Sequence, residues 1–121
     1  MFDYSLILFD SNVQHSLFTS EYNNRRIECD EGLRIINDNY PEINSFRDCN
    51  EELLIGLKSK MTDNVFRRSL YAVKEIKRVI EACAALDKGD IKTLGKLMFE
   101  THDGLSKDYE VSCAELDYLV D

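Results

Sequence analysis

One stretch constrains the fold more than any other. Between residues 63 and 87 the side chains Phe66, Leu70, Val73, Ile76, Ile80, Cys83 and Leu86 recur at steps of three and four, which lines them along one face of an α-helix several turns long. A helix of that length with a single apolar face is stable only when other elements cover it, so the chain is predicted to assemble around this segment. Gly89 lies just past its end, where a C-terminal cap belongs, and Asp90 is placed to open the next helix.

The remaining periodicities supply the covering elements. Tyr22, Arg26, Cys29, Leu33 and Ile36 alternate steps of four and three and predict a first helix from about Ser20 to Asn37. A turn at Asn39, Tyr40 and Pro41 precedes a short helix from about Glu51 to Lys60, with Asn50 as its cap. After the long helix, Ile91 to Lys107 directs Ile91, Leu94, Leu97, Met98, Thr101 and Leu105 inward. A last helix is expected from Ser112, where Ser112-Cys113-Ala114-Glu115 matches the capping box S-x-x-E, to Asp121.

Ahead of all these, Tyr4 to Asp10 (YSLILFD) is short and apolar and is followed by the turn residues Ser11-Asn12, which predicts a strand covered on both faces. The expected architecture is therefore α+β but predominantly α-helical, one N-terminal strand followed by about five helices, forming a single partial domain over residues 1–121. No segment repeats and no low-complexity stretch marks a linker. A lone strand at the start, with no partner for its backbone groups, and a helix still under way at Asp121 are the pattern of a fragment, with sequence expected on both sides.

Composition narrows the function. Hydrophobic residues make up 44% and charged residues 31%, with one proline, which describes a globular chain. Fifteen Lys and Arg stand against 23 Asp and Glu for a net charge of -8, and the basic residues cluster only as the pairs Arg25-Arg26 and Arg67-Arg68. Nucleic-acid binding is disfavoured, since neutralising phosphates takes clustered positive charge. The apolar run Leu6 to Phe9 is far short of a membrane span and no secretory leader precedes it, so a cytoplasmic protein is expected.

Cys29, Cys49, Cys83 and Cys113 lie 20 or more residues apart with only His15 and His102 as other soft ligands, which favours free thiols over a zinc site or disulfides. Gly32, Gly56, Gly89, Gly95 and Gly104 are dispersed, so no glycine-rich loop is present to cradle phosphate, and no G-x-S-x-G supports a catalytic triad. Taken by themselves the residues lead to a helical domain and no further.

Two blocks of sequence go further. Asp10-Ser11-Asn12-Val13-Gln14-His15-Ser16-Leu17, continued by Ser20-Glu21-Tyr22-Asn23, Arg25-Arg26 and Glu28-Cys29, resembles the galactokinase stretch S-N-V-x-H-S-L-x-x-S-E-Y-N-x-R-R-x-E-C-E. Gly95 to His102, then Leu105 to Cys113 and Glu115-Leu116-Asp117, resembles the later stretch G-x-L-M-x-E-S-H-x-S-L-R-D-x-Y-E-V-S-C-P-E-L-D. Between them Arg47-Asp48 and Arg67-Arg68 to Arg78-Val79 are similar to the family as well, so the likeness covers essentially the whole chain. Tyr71, Thr101, Gly104, Lys107 and Ala114 depart from the residues frequent in relatives.

The resemblance implies part of the C-terminal lobe of a GHMP kinase, whose members of this family transfer the γ-phosphoryl of ATP to galactose with Mg²⁺. It also implies what is missing, because the N-terminal catalytic lobe, with the galactose signature and the phosphate loop, lies before this stretch in relatives and a glycine-rich motif lies after it. The chain alone is therefore expected to be inactive and to bind neither ATP nor Mg²⁺, with no catalytic or metal residue of its own. Tyr22 matches the tyrosine of S-E-Y-N and resembles a sugar-contacting residue. Galactose and the missing N-terminal lobe are the implied partners, with self-association through the strand or apolar helix faces a further expectation.

Against these stand the plainer roles. By periodicity alone Tyr22 is a core tyrosine and Arg26 an edge residue reaching to solvent, while structural roles are favoured for His15 and His102. The run Lys107-Asp108-Tyr109-Glu110 is either a solvated helix end or a packing element near the active cleft. The alternative function is a non-catalytic helical sensor or protein-interaction module derived from the same family.

Overall fold

The computed structural model describes residues 3–14 and 16–121. The long amphipathic segment is a helix as its periodicity requires, and it is the axis of the structure. In order along the chain, α1 spans Ser16–Asn39, α2 Glu51–Leu57, α3 Asp63–Asp87, α4 Ile91–Lys107 and α5 Ala114–Val120, with single turns of 3-10 helix at Phe46–Asp48 and Lys58–Lys60. Helix α3 packs against α1 and α2 on one side and α4 on the other, and α5 rests on α4.

The caps explain why the helices begin and end where they do. Asn50 Oδ1 accepts from Leu53 N–H at 2.8 Å, Thr62 Oγ1 from Val65 N–H at 3.2 Å and Asp90 Oδ1 from Thr93 N–H at 3.0 Å. At the end of α3, Gly89 adopts φ 69°, its N–H bonds Leu86 O at 2.9 Å and the Asp90 N–H bonds Ala85 O at 2.8 Å, a complete Schellman closure. Pro41 has no N–H to continue α1, and in the last turn Asn39 Nδ2 donates to Ile35 O at 2.8 Å.

The apolar core is Ile36, Ile43, Leu54, Leu57, Phe66 and Val73, flanked by Phe46, Cys49, Leu53, Met61 and Leu70. It sits where the C-terminal half of α1, the loop after it, α2 and the first half of α3 meet. The stripe of α3 runs out of cover along its length: Ile76 is half-buried, Ile80 is 66% exposed and Leu86 53% exposed.

Two glycines set the helix separations. A Cβ at Gly32 would stand 2.0 Å from Ser69 Oγ, and one at Gly104 would stand 2.5 Å from the Tyr71 ring. Each glycine therefore lets its helix approach α3 more closely than any other residue would allow.

Polar contacts hold the region beyond the core. Arg68 on α3 is 1% exposed. Its Nε donates to Glu28 Oε2 on α1 at 3.0 Å, Nη1 to Asp108 O at 2.5 Å and Nη2 to Glu110 Oε2 at 2.5 Å. Arg25, also buried, donates to the same Glu28 at 2.5 Å and to Glu21 at 2.7 Å. Glu110 holds a left-handed φ of 54° in the turn that closes α4 through Val111 N–H to Leu105 O at 3.0 Å, a conformation that costs a non-glycine residue about 1 kcal/mol. Burial alone would raise the Glu28 carboxyl, but the hydrogen bonds from Arg25 and Arg68 outweigh it and hold the group below its ordinary value. The Arg68 guanidinium does the same for Glu110.

Three expectations are corrected. Residues 4–10 form no strand: they have no regular structure and are exposed, with Leu6 94% and Leu8 96% accessible, because every regular element among the described residues is a helix and none offers an edge to pair with. Within the described residues the fold is thus all α. Among the described side chains of α1 the buried positions are Arg25, Gly32 and Ile36; of the predicted stripe, Ile36 is buried and Cys29 and Leu33 are half-buried, but Tyr22, at 63% exposure, and Arg26 lie outside, because α3 packs on the glycine side of the helix. The capping box does not form either. Cys113 is the N-cap of α5 and makes no side-chain cap bond, while the Ser112 hydroxyl donates to Asp117 Oδ1 at 2.7 Å.

Gly104→Ala should lower the thermal midpoint of the chain, since the clash with a buried ring, about 1–3 kcal/mol, exceeds the helix propensity gained from alanine. Gly32→Ala should be milder, because the Ser69 hydroxyl can rotate away, and it should be rescued by Ser69→Ala, whose buried oxygen has no hydrogen-bond partner. Glu28 and Glu110 titrate below 4.5 when folded. Their stabilisation is therefore complete above about pH 4.5 and lost as pH falls through the lowered values. Thermal melts of the Glu28→Gln/Glu110→Gln variant should show a shallower loss of midpoint on the acid side than the parent, and equal slopes would remove these carboxylates from the account of acid sensitivity.

Candidate functional site

Tyr22, Arg26 and Cys29 follow one another at i, i+4 and i+7 on α1, the first two exposed and the third half-buried. Beneath them the chain returns from α4. Cys29 Sγ lies 3.5 Å from Tyr109 Oη, and the Tyr109 ring packs on Tyr71 with centroids 5.0 Å apart. The exposed phenol of Tyr22 thus stands at the edge of a cluster made of the buried Tyr71 phenol on α3, the half-buried Cys29 thiol on α1 and the half-buried Tyr109 phenol in the turn after α4.

Electrostatics keep that cluster neutral. Burial pushes the Tyr71 phenol up to about 12, with the Glu75 carboxylate adding to it. Burial likewise raises Tyr109 above its ordinary 10, aided by the hydrogen bond to Cys29 and by the nearby Tyr22 and Tyr71 phenols. The Cys29 thiol is also raised by burial. At neutral pH the cluster offers uncharged hydroxyls, a thiol and aromatic faces beside the cation of Arg26. Such a surface can hydrogen-bond and stack but supplies no nucleophile and no general base.

A second constellation joins α4 to α5. Asp117 accepts from Ser112 Oγ at 2.7 Å and from Ser106 Oγ at 3.1 Å, and His102 Nε2 lies 2.9 Å from its Oδ1. The Ser112 hydrogen bond holds the Asp117 carboxyl below its ordinary value against a burial effect of opposite sign, with Ser106 and His102 contributing. These are triad residue types without a triad, because both hydroxyls bond the carboxylate and neither bonds the imidazole. The cluster pins α5 in place, and His102 is one of its members. His15 lies outside the described residues.

Two surface depressions lie elsewhere. One of about 410 Å³ is lined by Asp10, Ser11, Ala114, Glu115, Tyr118 and Leu119, and a groove of about 730 Å³ lies between α2 and α3. Neither is lined by Tyr22. Among the described residues no group of three or more His, Cys, Asp and Glu side chains is placed to hold a metal ion, and no helix is long and apolar enough to cross a membrane.

Periodicity located Tyr22 and Arg26 but not the residues behind them. Arg25, Glu28, Arg68 and Glu110 carry the polar framework of this region, and apolar spacing passes over all of them. The available signal was Gly32 with Arg25 and Glu28 at helical spacing on one face, together with Arg68 set among the apolar residues of α3.

No family model matches the chain. A galactokinase of Thermotoga neapolitana is 42% identical over 118 residues, which is 98% of this chain and 31% of that protein. Galactokinases of Bos taurus and Homo sapiens are 42% and 41% identical over 117 residues, 97% of this chain and 29% of each of theirs. The chain thus spans less than a third of the length of these relatives. Over nearly all of its residues, the chain is similar to a stretch of bacterial and mammalian galactokinases.

Proposed function

We propose that residues 1–121 form a helical part of the C-terminal lobe of a cytoplasmic GHMP-type kinase that phosphorylates galactose at the expense of ATP, and that Tyr22 contacts the sugar. The observation that carries this is the likeness to galactokinases of 41–42% identity over 97–98% of the chain. The geometry agrees with it. Tyr22 presents an accessible phenol beside neutral hydroxyl groups, suited to a polyhydroxylated, uncharged ligand.

The division of labour follows from the residues present. Phosphoryl transfer rests on positioning and on neutralising charge on the moving group. The described residues provide no metal-binding cluster, and the dispersed glycines provide no phosphate loop. No step through ATP or Mg²⁺ is therefore assigned to this chain, whose contribution is a scaffold and one wall of the sugar site. Leu6 to Phe9, exposed here, then belong against the rest of the kinase, where an adjacent strand would satisfy their backbone groups.

The purified 121-residue chain should release no ADP from ATP in the presence of galactose, and galactose-dependent turnover by it alone would sink this assignment. Reading the coding sequence on both sides should reveal the remaining kinase motifs in frame. In the full-length kinase, Tyr22→Phe should raise the KM for galactose roughly three- to tenfold, the value of one hydrogen bond, while the KM for ATP stays put.

A further inference from the structure

We infer that Arg68 is a positioning residue for the face that Tyr22 presents, acting through Glu28 on α1 and through the Asp108–Glu110 turn. The inference rests on the sugar-site assignment of Tyr22.

The reason lies in how α1 is held. Its C-terminal half enters the apolar core through Ile36. From Glu21 to Glu31 the one buried side chain is Arg25. Among the described residues, a chain of ion pairs ties that stretch to α3, from Glu21 to Arg25 at 2.7 Å, Arg25 to Glu28 at 2.5 Å and Glu28 to Arg68 at 3.0 Å. Tyr22 lies next to the first link.

The same guanidinium reaches the other side of the site. Its bonds to Asp108 O and Glu110 hold the residues on either side of Tyr109, whose hydroxyl meets Cys29 on the Tyr22 face. The planar fork of one arginine therefore sets α1 and the turn after α4 relative to α3. A lysine keeps the charge but has no rigid fork with which to reach Glu28, Asp108 O and Glu110 together.

The test uses the full-length kinase and steady-state kinetics in both substrates. Arg68→Lys should raise the KM for galactose roughly tenfold, and Glu110→Gln by a smaller factor, with the KM for ATP and kcat within about twofold of the parent. In the Tyr22→Phe background, Arg68→Lys should add little further, because both changes act on the same contact. Arg34→Ala, which breaks pairs confined to α1, serves as the control and should leave the KM for galactose unchanged. Glu110, with its half-exposed carboxylate, provides a milder variant should Arg68→Lys fail to fold.

A lowered thermal midpoint with the KM for galactose unmoved in Arg68→Lys, or in Glu110→Gln where only that variant folds, would overturn the inference and leave Arg68 a stabilising residue. An equal loss in the KM values for both substrates, or in kcat, would overturn it too, as general damage. If Tyr22→Phe itself leaves the KM for galactose unchanged, the sugar-site assignment fails, and any effect of Arg68→Lys would then travel by another route.

Discussion

Burying a guanidinium is the constraint on which the rest of this structure turns. Arg68 is withdrawn from water at a cost of several kcal/mol, and only a complete set of partners offsets that cost. Those partners come from residues 40 and 42 positions away along the chain in opposite directions. Each is useful only if all are in place, so the pairing links α1, α3 and the turn after α4 as a unit. The left-handed Glu110 fits this account: its backbone strain is small beside the charge it neutralises.

The molecule is held by different means at its two ends. Around Ile36, Leu54 and Phe66 the stabilisation is apolar burial, non-directional and tolerant of small rearrangement. Around Arg25, Arg68 and Tyr71 it comes from directional hydrogen bonds and from helices drawn together at Gly32 and Gly104. Directional contacts specify positions more sharply than apolar burial does. The region carrying Tyr22 is of the second kind, and the neutral phenols of Tyr71 and Tyr109 beneath it suit recognition rather than proton transfer.

Much of the scaffold was legible in the residues. Apolar period located α3 and α4, and the caps at Asn50, Asp90 and Gly89 form as their side chains and backbone freedom require. The failures have a common cause. YSLILFD has the composition of a strand, but strand formation depends on a neighbour that the described residues do not contain. Ser112 has the spacing of a capping box, but Asp117 takes its hydroxyl. On α1 the apolar stripe held for Ile36, and in part for Cys29 and Leu33, but not for Tyr22 and Arg26, because the buried positions there also include a glycine and a charged residue that a search for apolar period ignores.

The sequence by itself determined which segments become helices, where they stop, and the family likeness carried by the blocks around Tyr22 and around Tyr109, since these depend on local backbone preferences and on residue identity alone. Only the tertiary structure decided which face of α1 is buried, that Arg68 rather than its neighbour Arg67 is taken into the interior, and that Tyr22 stands exposed beside Tyr109. Those outcomes depend on partners some 40 residues distant or more, and the free energy of burying a charge exists only once every partner has been brought to it.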